Sequence, residues 1–307
     1  MAQVEGFPLA SSRTRAATER PRAQWRIRAA RVLRQPLPLL SLVILAVGVA
    51  CALWPVAWLP HDPTSSDLLL RFKPPVWVEG AQAGYPLGTD NLGRDVFSRV
   101  VHGTRYSLLI TGGAALLSAI LGLALGLWAG FYRGVADDII MRLCDITLAF
   151  PTIILIIAVV GIVGPNLLNL VLILGISGWA RYARLVRGSA LSVREQDYIL
   201  SARTIGARDT AIMVRHVLPN LLSSVIVLTT FELARLLLLE SGLSFLGLGV
   251  QPPTPSWGGM IGDGRNYLYE GWWISALPGA AIVLTVLAFN FLGDALQDIL
   301  DPRNRPR

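Results

Sequence analysis

Lysine, histidine and cysteine are all scarce in this chain of 307 residues. The single lysine, Lys73, lies in no glycine-rich run. A phosphate-binding loop of the Walker A type needs a lysine that reaches the phosphates and an adjacent Ser or Thr that holds magnesium. Because the sequence contains no such loop, it excludes ATP binding by that route, and we predict that this chain binds no cofactor itself.

The few histidines and cysteines show no pattern that indicates chemistry. His61, His102 and His216 are far apart and lack the spacing of metal ligands. Cys51 and Cys144 lie in or beside apolar segments, where we expect small packing residues rather than a disulfide or a metal pair. The sequence contains neither a nucleophile elbow nor an HExxH segment. We therefore predict that the chain is not an enzyme and has no catalytic residue and no metal site.

Charged residues make up only 15% of the chain, whereas apolar residues make up 53% and the mean hydropathy is +0.54. A soluble domain carries roughly a quarter charged residues. The apolar residues form long blocks, and a transmembrane helix needs about 20 of them. Five blocks are long enough, and they are Leu37–Trp58, Ser107–Phe131, Ile146–Val163, Leu221–Leu239 and Trp272–Leu292.

A sixth apolar block, Leu167–Ala180, is shorter than the others. We predict that its helix continues through Arg181, Tyr182 and Arg184, whose polar ends reach toward the lipid headgroups. None of the blocks alternates in the way that an outer-membrane barrel strand does. The predicted fold class is therefore all-α, a polytopic membrane protein with about six transmembrane helices and with five as the alternative count.

The net charge of +7 comes mainly from arginines before the first apolar block, in the segment 181–219 and at the C-terminus. Positively charged segments of membrane proteins stay in the cytoplasm, so we predict cytoplasmic termini and no nucleic-acid partner. The predicted division of the chain is a basic cytoplasmic arm at 1–36, a first transmembrane helix at 37–59, an external segment at 60–106, a core with five transmembrane helices at 107–296 that includes a cytoplasmic loop at 187–220, and a cytoplasmic tail at 297–307.

The arginine-rich cytoplasmic loop reads SVREQDYILSARTIGARDTAIMVRHVLPN from Ser192 onward. Ser192 and Glu195 have the spacing of a capping box and predict a helix that begins at Val193. Gly206 predicts a left-handed residue that ends this helix, because glycine adopts positive φ without a steric penalty. Asp209 predicts the first turn of a second short helix, where a carboxylate interacts favourably with the helix dipole.

Pro219 predicts a break between this second helix and the next membrane helix. The segment Ser192–Asn220 is thus predicted to form a helix–glycine–helix elbow on the cytoplasmic face. A small, sharply turned tip is suited to docking into a groove of another protein. A connector that lies on the membrane surface is an alternative that the residues alone leave open.

The elbow resembles the EAA loop of ABC-importer permeases, whose pattern is Glu-Ala-Ala, three residues, Gly, nine residues and Ile-x-Leu-Pro. Leu200, Ser201 and His216 stand where that family has Glu, the first Ala and Ile. The positions that match the pattern are Ala202, Gly206, Leu218 and Pro219.

Two further stretches, YPLGTDNLGRDVFSRVVHGTRYS from Tyr85 and LSFLGLGVQPPTPSWGGMIGDGRNY from Leu243, are similar to C-type permeases for dipeptides, oligopeptides and nickel. The resemblance covers the chain from about residue 37 onward.

This resemblance implies a type I ABC-importer permease fold in a bacterial inner membrane. It also implies a heterodimer with a second homologous permease subunit, in contact with membrane lipid. Two ATPase subunits would bind ATP and Mg²⁺, and a periplasmic or lipid-anchored binding protein would deliver di- or oligopeptides. A nickel or other small-solute importer is the alternative, and a stand-alone secondary transporter is an alternative of another class. The resemblance implies that the ATPase subunits contact a coupling loop formed by Ser201, Ala202, Gly206, Ala207, Arg208, Asp209, Leu218 and Pro219.

Three charged residues fall in or near the fifth apolar block, where charges usually face a cavity or a bundle interior. Glu232 and Arg235 are spaced to pair on one helix face, and Glu240 follows toward the outer end. We expect Glu232 and Arg235 to face the pore, with a structural pair between two subunits as the alternative. Pro151 predicts a kink in the third transmembrane helix.

Overall fold

The computed structural model describes residues 35–300. Residues 1–34 of the basic arm predicted at 1–36 and residues 301–307 of the tail predicted at 297–307 therefore lie outside the described residues. Within residues 35–300 every regular element is helical, apart from one isolated bridge between Thr89 and Asp95. The predicted all-α class is confirmed.

Eleven α-helices follow one another in this part of the chain. They are α1 (Pro36–Leu53), α2 (Val96–Tyr132), α3 (Val135–Ala149), α4 (Thr152–Val163), α5 (Leu167–Arg194), α6 (Asp197–Thr204), α7 (Asp209–Ile212), α8 (Leu218–Phe245), α9 (Trp257–Gly264), α10 (Leu268–Gly271) and α11 (Trp273–Leu300). Short 3₁₀ turns lie at Val56–Trp58, Leu68–Leu70 and Arg265–Tyr267, and a π-helical turn lies at Met213–Val217.

Four helical segments of residues 35–300 are long and apolar enough to cross a membrane: α1, α2, the continuous run Asp209–Phe245 and α11. The pair α3 and α4 adds a fifth if it is counted as one broken span. Helix α5 has 28 residues but is not among them, and arginines occupy its second half. The chain is thus a polytopic helical membrane protein with four or five spans by length and composition, and six remains a prediction.

The prediction of one kinked helix over Ile146–Val163 is wrong. Helix α3 ends at Ala149, α4 starts at Thr152, and the two axes differ by 89°. Pro151 cannot donate a backbone hydrogen bond, and its ring disfavours a helical conformation of the preceding Phe150. Phe150 accordingly is extended, with φ −82° and ψ 137°. The chain turns sharply here instead of bending within one helix.

Other helix boundaries also differ from the predicted ones. Helix α1 ends at Leu53 because Pro55 holds the preceding Trp54 in an extended conformation. Helix α2 begins at Val96, well before the apolar block, because the Asp95 carboxylate caps it by accepting hydrogen bonds from the backbone of Phe97 and Ser98. Helix α11 continues to residue 300. Proline thus decides the end of α1 and polar capping decides the start of α2, and a hydropathy profile detects neither.

Helices α2 and α5 pack backbone against backbone through glycines that recur every four residues on α2. A Cβ on Gly122 would lie 2.6 Å from the carbonyl oxygen of Trp179, and one on Gly126 would lie 2.5 Å from that of Ala183. Small residues at this spacing let membrane helices approach closely. The contact places the C-terminal halves of α2 and α5 side by side, next to the elbow.

A network of four charged residues joins the predicted external segment to α9. The Asp90 carboxylate accepts a 2.6 Å hydrogen bond from Arg94 Nε and lies 3.5 Å from Arg99 Nε. Both arginines also reach Oδ2 of Asp263 on α9 at 3.3 Å. Asp90, Arg94 and Arg99 are buried. Two carboxylates face two guanidinium groups, so the charges balance within the network.

Asp90→Asn should destabilise the fold by about 3–5 kcal/mol, because it leaves a buried guanidinium without its counter-charge. The amide oxygen of asparagine can still accept the backbone hydrogen bonds from Leu92 and Arg94. The substitution therefore measures the effect of the negative charge alone. Thermal unfolding of the purified protein in detergent measures the effect. Replacement of the exposed Asp62 by asparagine, in the same predicted external segment, is the control. Equal midpoints for the two variants would contradict the role of the network.

Candidate functional site

The elbow begins later than its capping-box spacing predicts. Helix α5 continues through Ser192 to Arg194, and α6 starts only at Asp197. The predicted capping box is therefore wrong. Glu195 instead lies 2.6 Å from Arg133 Nη2 at the end of α2. Packing of α5 against α2 extends the helix past the local start signal, so tertiary contact overrides the sequence pattern here.

The left-handed conformation predicted for Gly206 is confirmed, with φ +84°. The Gly206 N–H donates to the Arg203 carbonyl at 2.9 Å, and the Ala207 N–H donates to the Ala202 carbonyl at 3.1 Å. These two bonds are those of a Schellman motif, which satisfies the last carbonyls of a helix when the residue after it adopts positive φ. Gly206 thus fixes the direction in which the chain leaves α6.

The second half of the elbow is helical from Asp209 onward, as predicted, but Pro219 does not break it. The run Asp209–Phe245 is continuous and contains the π-helical turn Met213–Val217. Leu218 donates its N–H to the carbonyl of Met213, five residues back. This wider turn directly precedes the proline, which has no N–H to donate. The predicted break is therefore wrong, and the elbow is joined to the membrane helix α8 without a flexible link.

Apolar side chains anchor the elbow to the rest of the protein. Ile199, Ile212 and Val217 are fully buried in a cluster that includes Phe131 of α2 and Tyr182 of α5. Burying each such side chain contributes about 1.5–3 kcal/mol. Of the predicted coupling residues, three are half-buried against this same cluster, and they are Ala202, Ala207 and Leu218.

The remaining predicted coupling residues are exposed, and they are Ser201, Gly206, Arg208, Asp209 and Pro219. Two apolar residues that were not among the predicted coupling residues also lie on this exposed side of the elbow. The Ile205 side chain is 85% exposed directly beside the glycine, and Leu200 is 50% exposed. A large apolar residue next to a helix-ending glycine is the signal that could have identified Ile205. The tip is therefore apolar as well as charged.

An aromatic ring at the end of α2 joins the elbow to the membrane helices. The guanidinium carbons of Arg194 and Arg203 lie 5.9 Å and 5.5 Å from the centre of the Phe131 ring. Cations at these distances are attracted to the face of an aromatic ring. Arg194 also donates a hydrogen bond to the Phe131 carbonyl. Helices α2, α5 and α6 thus meet at one side chain.

A second candidate site, the charge cluster, consists of Arg181 on α5 with Glu232 and Arg235 on α8. The predicted pairing of Glu232 with Arg235 is confirmed, since Nε and Nη2 of Arg235 lie 2.9 Å and 2.8 Å from Glu232 Oε2. Arg181 Nε lies 2.6 Å from the other carboxylate oxygen, Oε1. The expectation that Arg181 reaches toward the headgroups is therefore wrong, because a buried carboxylate on the neighbouring helix attracts it instead.

Glu240 does not join this cluster. Its side chain is fully buried, and it accepts hydrogen bonds from the hydroxyls of Ser244 at 2.7 Å and Ser241 at 3.4 Å, both on its own helix. The structure therefore divides the three charges predicted near the pore into the Glu232–Arg235 pair, of which only the arginine is partly exposed, and a separate internal carboxyl group.

Comparison with known proteins agrees with this architecture. Residues 122–306, which include the elbow and the charge cluster, match the family described as binding-protein-dependent transport system inner membrane components. The di/tripeptide transport system permease protein DppC of Pseudomonas aeruginosa is 44% identical over 86% of this chain and 87% of its own length. The chain belongs to this family of transport permeases.

Other relatives of the permease have different cargoes in their names. The glutathione transport system permease protein GsiD of Pectobacterium atrosepticum is 42% identical, covering 92% of both chains. The nickel transport system permease protein NikC of Escherichia coli is 41% identical over 86% of this permease and 93% of its own length. The permease is thus a multi-pass membrane component of a transport system, and the names of its relatives do not agree on one substrate.

Proposed function

We propose that this permease forms half of the translocation pore of an ATP-driven importer of di- or oligopeptides. A second homologous permease subunit supplies the other half, and two ATPase subunits bind the ATP and Mg²⁺. A periplasmic or lipid-anchored binding protein delivers the peptide. The permease itself is non-catalytic and lies in a bacterial inner membrane with both termini in the cytoplasm, as its arginine distribution favours.

The observation that carries this proposal is the construction of the elbow. Its tip is exposed and apolar at Ile205, whereas its two ends are held by the buried side chains of Ile199 and Ile212. A tip on such a rigid support can dock in a groove of a partner protein. Because the helical run continues from Asp209 to Phe245, a displacement of the tip moves the membrane helix with it.

The elbow therefore links the nucleotide state of the ATPase subunits to the conformation of the pore. Closing of the ATPase pair around ATP moves both docked elbows. That movement shifts the population of the membrane helices between inward-open and outward-open arrangements. Ser201, Gly206, Arg208 and Asp209, which lie on the exposed side, make the contact, whereas Ala202, Ala207 and Leu218 hold the elbow in place.

Peptides are the proposed cargo because the relative that is 44% identical is named for di- and tripeptides and another is named for glutathione. The nickel permease relative at 41% identity makes nickel the second candidate. The two candidates are separated by the binding protein that acts with this permease. Mass spectrometry of the ligand that co-purifies with that binding protein should find a peptide, and a nickel ion instead would overturn the choice.

Reconstitution in lipid vesicles tests the importer itself. Vesicles that contain both permease subunits and the ATPase subunits should accumulate a labelled tripeptide only with ATP and with the binding protein. Vesicles with this permease alone should accumulate none. Uptake by this permease alone, driven by a proton gradient, would contradict the proposal and support a stand-alone secondary transporter.

A further inference from the structure

The charge cluster of Arg181, Glu232 and Arg235 contains two positive charges and one negative charge. Arg181 lies midway along α5, and the other two residues lie near the middle of α8, a helix of 28 residues within a candidate membrane span. Charges at such positions are costly, and they usually mark a substrate pathway or a partner of opposite charge. The excess positive charge therefore requires an explanation.

The single negative charge of Glu232 cannot neutralise the positive charges of both arginines. One oxygen of Glu232 pairs with Arg235 and the other pairs with Arg181. Within residues 35–300, neither arginine has an ion pair with any other acid, and Arg181 Nη2 is buried without a hydrogen-bond partner. A buried guanidinium nitrogen without an acceptor carries a penalty that an incoming anion would relieve.

The two arginines are the more exposed members of the cluster. Each arginine side chain is 28% exposed, whereas Glu232 is only 5% exposed. Behind the cluster the buried Tyr182 donates a 3.2 Å hydrogen bond to the hydroxyl of Thr229, which joins α5 to α8. The structure thus holds the carboxylate inside and leaves both arginine side chains partly exposed.

We propose that Arg181 and Arg235 form a transit site for the carboxylate of the transported peptide. This inference rests on the proposed peptide-import function. A guanidinium group binds a carboxylate through two parallel hydrogen bonds, and two such groups side by side favour an anion over a neutral or cationic group. Every peptide with a free C-terminus carries this anion, so the site recognises the feature that peptides share and remains indifferent to their side chains.

Single replacement of either arginine by glutamine tests the site without removing the internal ion pair. In Arg181→Gln and in Arg235→Gln, one arginine still pairs with Glu232, so the cluster becomes neutral and folding should be retained. The matched control is Arg184→Gln on the same helix, because Arg184 is an exposed residue that pairs with the exposed Asp145.

The measurement is ATP-driven uptake by vesicles that contain the complete importer, with a tripeptide and its C-terminal amide as probes. The binding protein is supplied at a saturating concentration for each probe. Loss of one charge-assisted contact should lower uptake of the free acid about tenfold or more in both cluster variants. Uptake of the amide should stay at its wild-type rate, and the control variant should transport both probes normally.

Equal changes for the acid and the amide would overturn the transit site. If those equal changes come with poor recovery of the second permease subunit, the arginines instead pair with an acid of that subunit. Absence of ATP-dependent uptake by the wild-type importer would overturn the proposed function and this inference together. Normal wild-type uptake with unchanged variants would overturn the inference alone.

Discussion

Gly206→Val is expected to reduce substrate uptake roughly five- to thirtyfold while the ATPase subunits continue to hydrolyse ATP. Gly206 has φ +84°, and a residue with a Cβ pays about 1–2 kcal/mol in the left-handed region. A penalty of that size lowers the equilibrium constant for the turned conformation roughly five- to thirtyfold. The chain after Gly206 would then leave α6 in another direction, and the Schellman hydrogen bonds donated by Gly206 and Ala207 would be lost.

The control for this variant is Gly206→Asn at the same position. Asparagine tolerates the left-handed region far better than valine. Among the described residues no heavy atom lies within 4 Å of the Cβ that either side chain would add. The two variants therefore differ in backbone strain and not in a steric clash. Uptake per ATP hydrolysed, measured in vesicles, should fall with valine and stay near wild type with asparagine. Equal coupling in both variants would show that the turn at Gly206 has no role in transmission.

Gly126→Leu is expected to prevent recovery of a folded permease. A Cβ at this position would lie 2.5 Å from the carbonyl oxygen and 2.8 Å from the Cα of Ala183. Backbone atoms cannot rotate away as a flexible side chain can, so α2 and α5 would have to separate. Overpacking of this kind costs about 1–3 kcal/mol, and a leucine adds three more carbon atoms beyond the Cβ. Separation would also disturb the buried cluster beneath the elbow, which both helices share.

Gly112→Leu, on the same helix, is the matched control for this prediction. In the described part of the chain no heavy atom lies within 4 Å of a Cβ added there. Size-exclusion profiles and thermal unfolding midpoints in detergent compare the two proteins. The Gly112 variant should give a single folded peak, and the Gly126 variant should aggregate or unfold at a clearly lower temperature. Equal behaviour would mean that α2 and α5 do not pack as closely as the structure shows.

Hydropathy predicts the long helices of this fold well because length and apolar content alone decide whether a segment can cross a membrane. Helices α1, α2, α8 and α11 each contain one of the predicted blocks or most of it. The turn at Gly206 was equally predictable, since a glycine after a helical pattern has few other uses. These features depend on local chemistry, which a single sequence displays in full.

The features that were mispredicted depend on contacts between distant residues or on the balance of competing local signals. The helix start predicted at Val193 failed because α5 is held against α2 as far as Arg194. The break predicted at Pro219 failed because a π-helical turn accommodates the proline. At Pro151 the opposite occurred, and the same residue type ended a helix completely. Proline alone does not distinguish these outcomes, since the surrounding packing decides between them.

The charge cluster also depends in part on a contact between distant residues, which the sequence alone does not reveal. The spacing of Glu232 and Arg235 on one helix is visible in the sequence, and their pairing was predicted. Arg181 lies on a different helix, and only the packing of α5 beside α8 brings it within 2.6 Å of Glu232. Its placement changes a neutral pair into a cluster with excess positive charge, which is the property on which the proposed transit site depends.

Site-specific cross-linking at the tip of the elbow tests the central claim most directly. Ile205→Cys and Ile162→Cys introduce thiols at two isoleucines that are almost equally exposed, at 85% and 86%. Ile162 is the control because it lies before the first residue of α5, whereas the elbow follows the last residue of that helix. The native Cys51 and Cys144 are replaced by alanine in both proteins. With a short thiol-reactive photo-cross-linker on the assembled importer, we expect the thiol at 205 to cross-link to an ATPase subunit and the thiol at 162 not to do so. Cross-linking of both positions, or of neither, to the ATPase subunits would contradict the proposal that the elbow is the coupling contact.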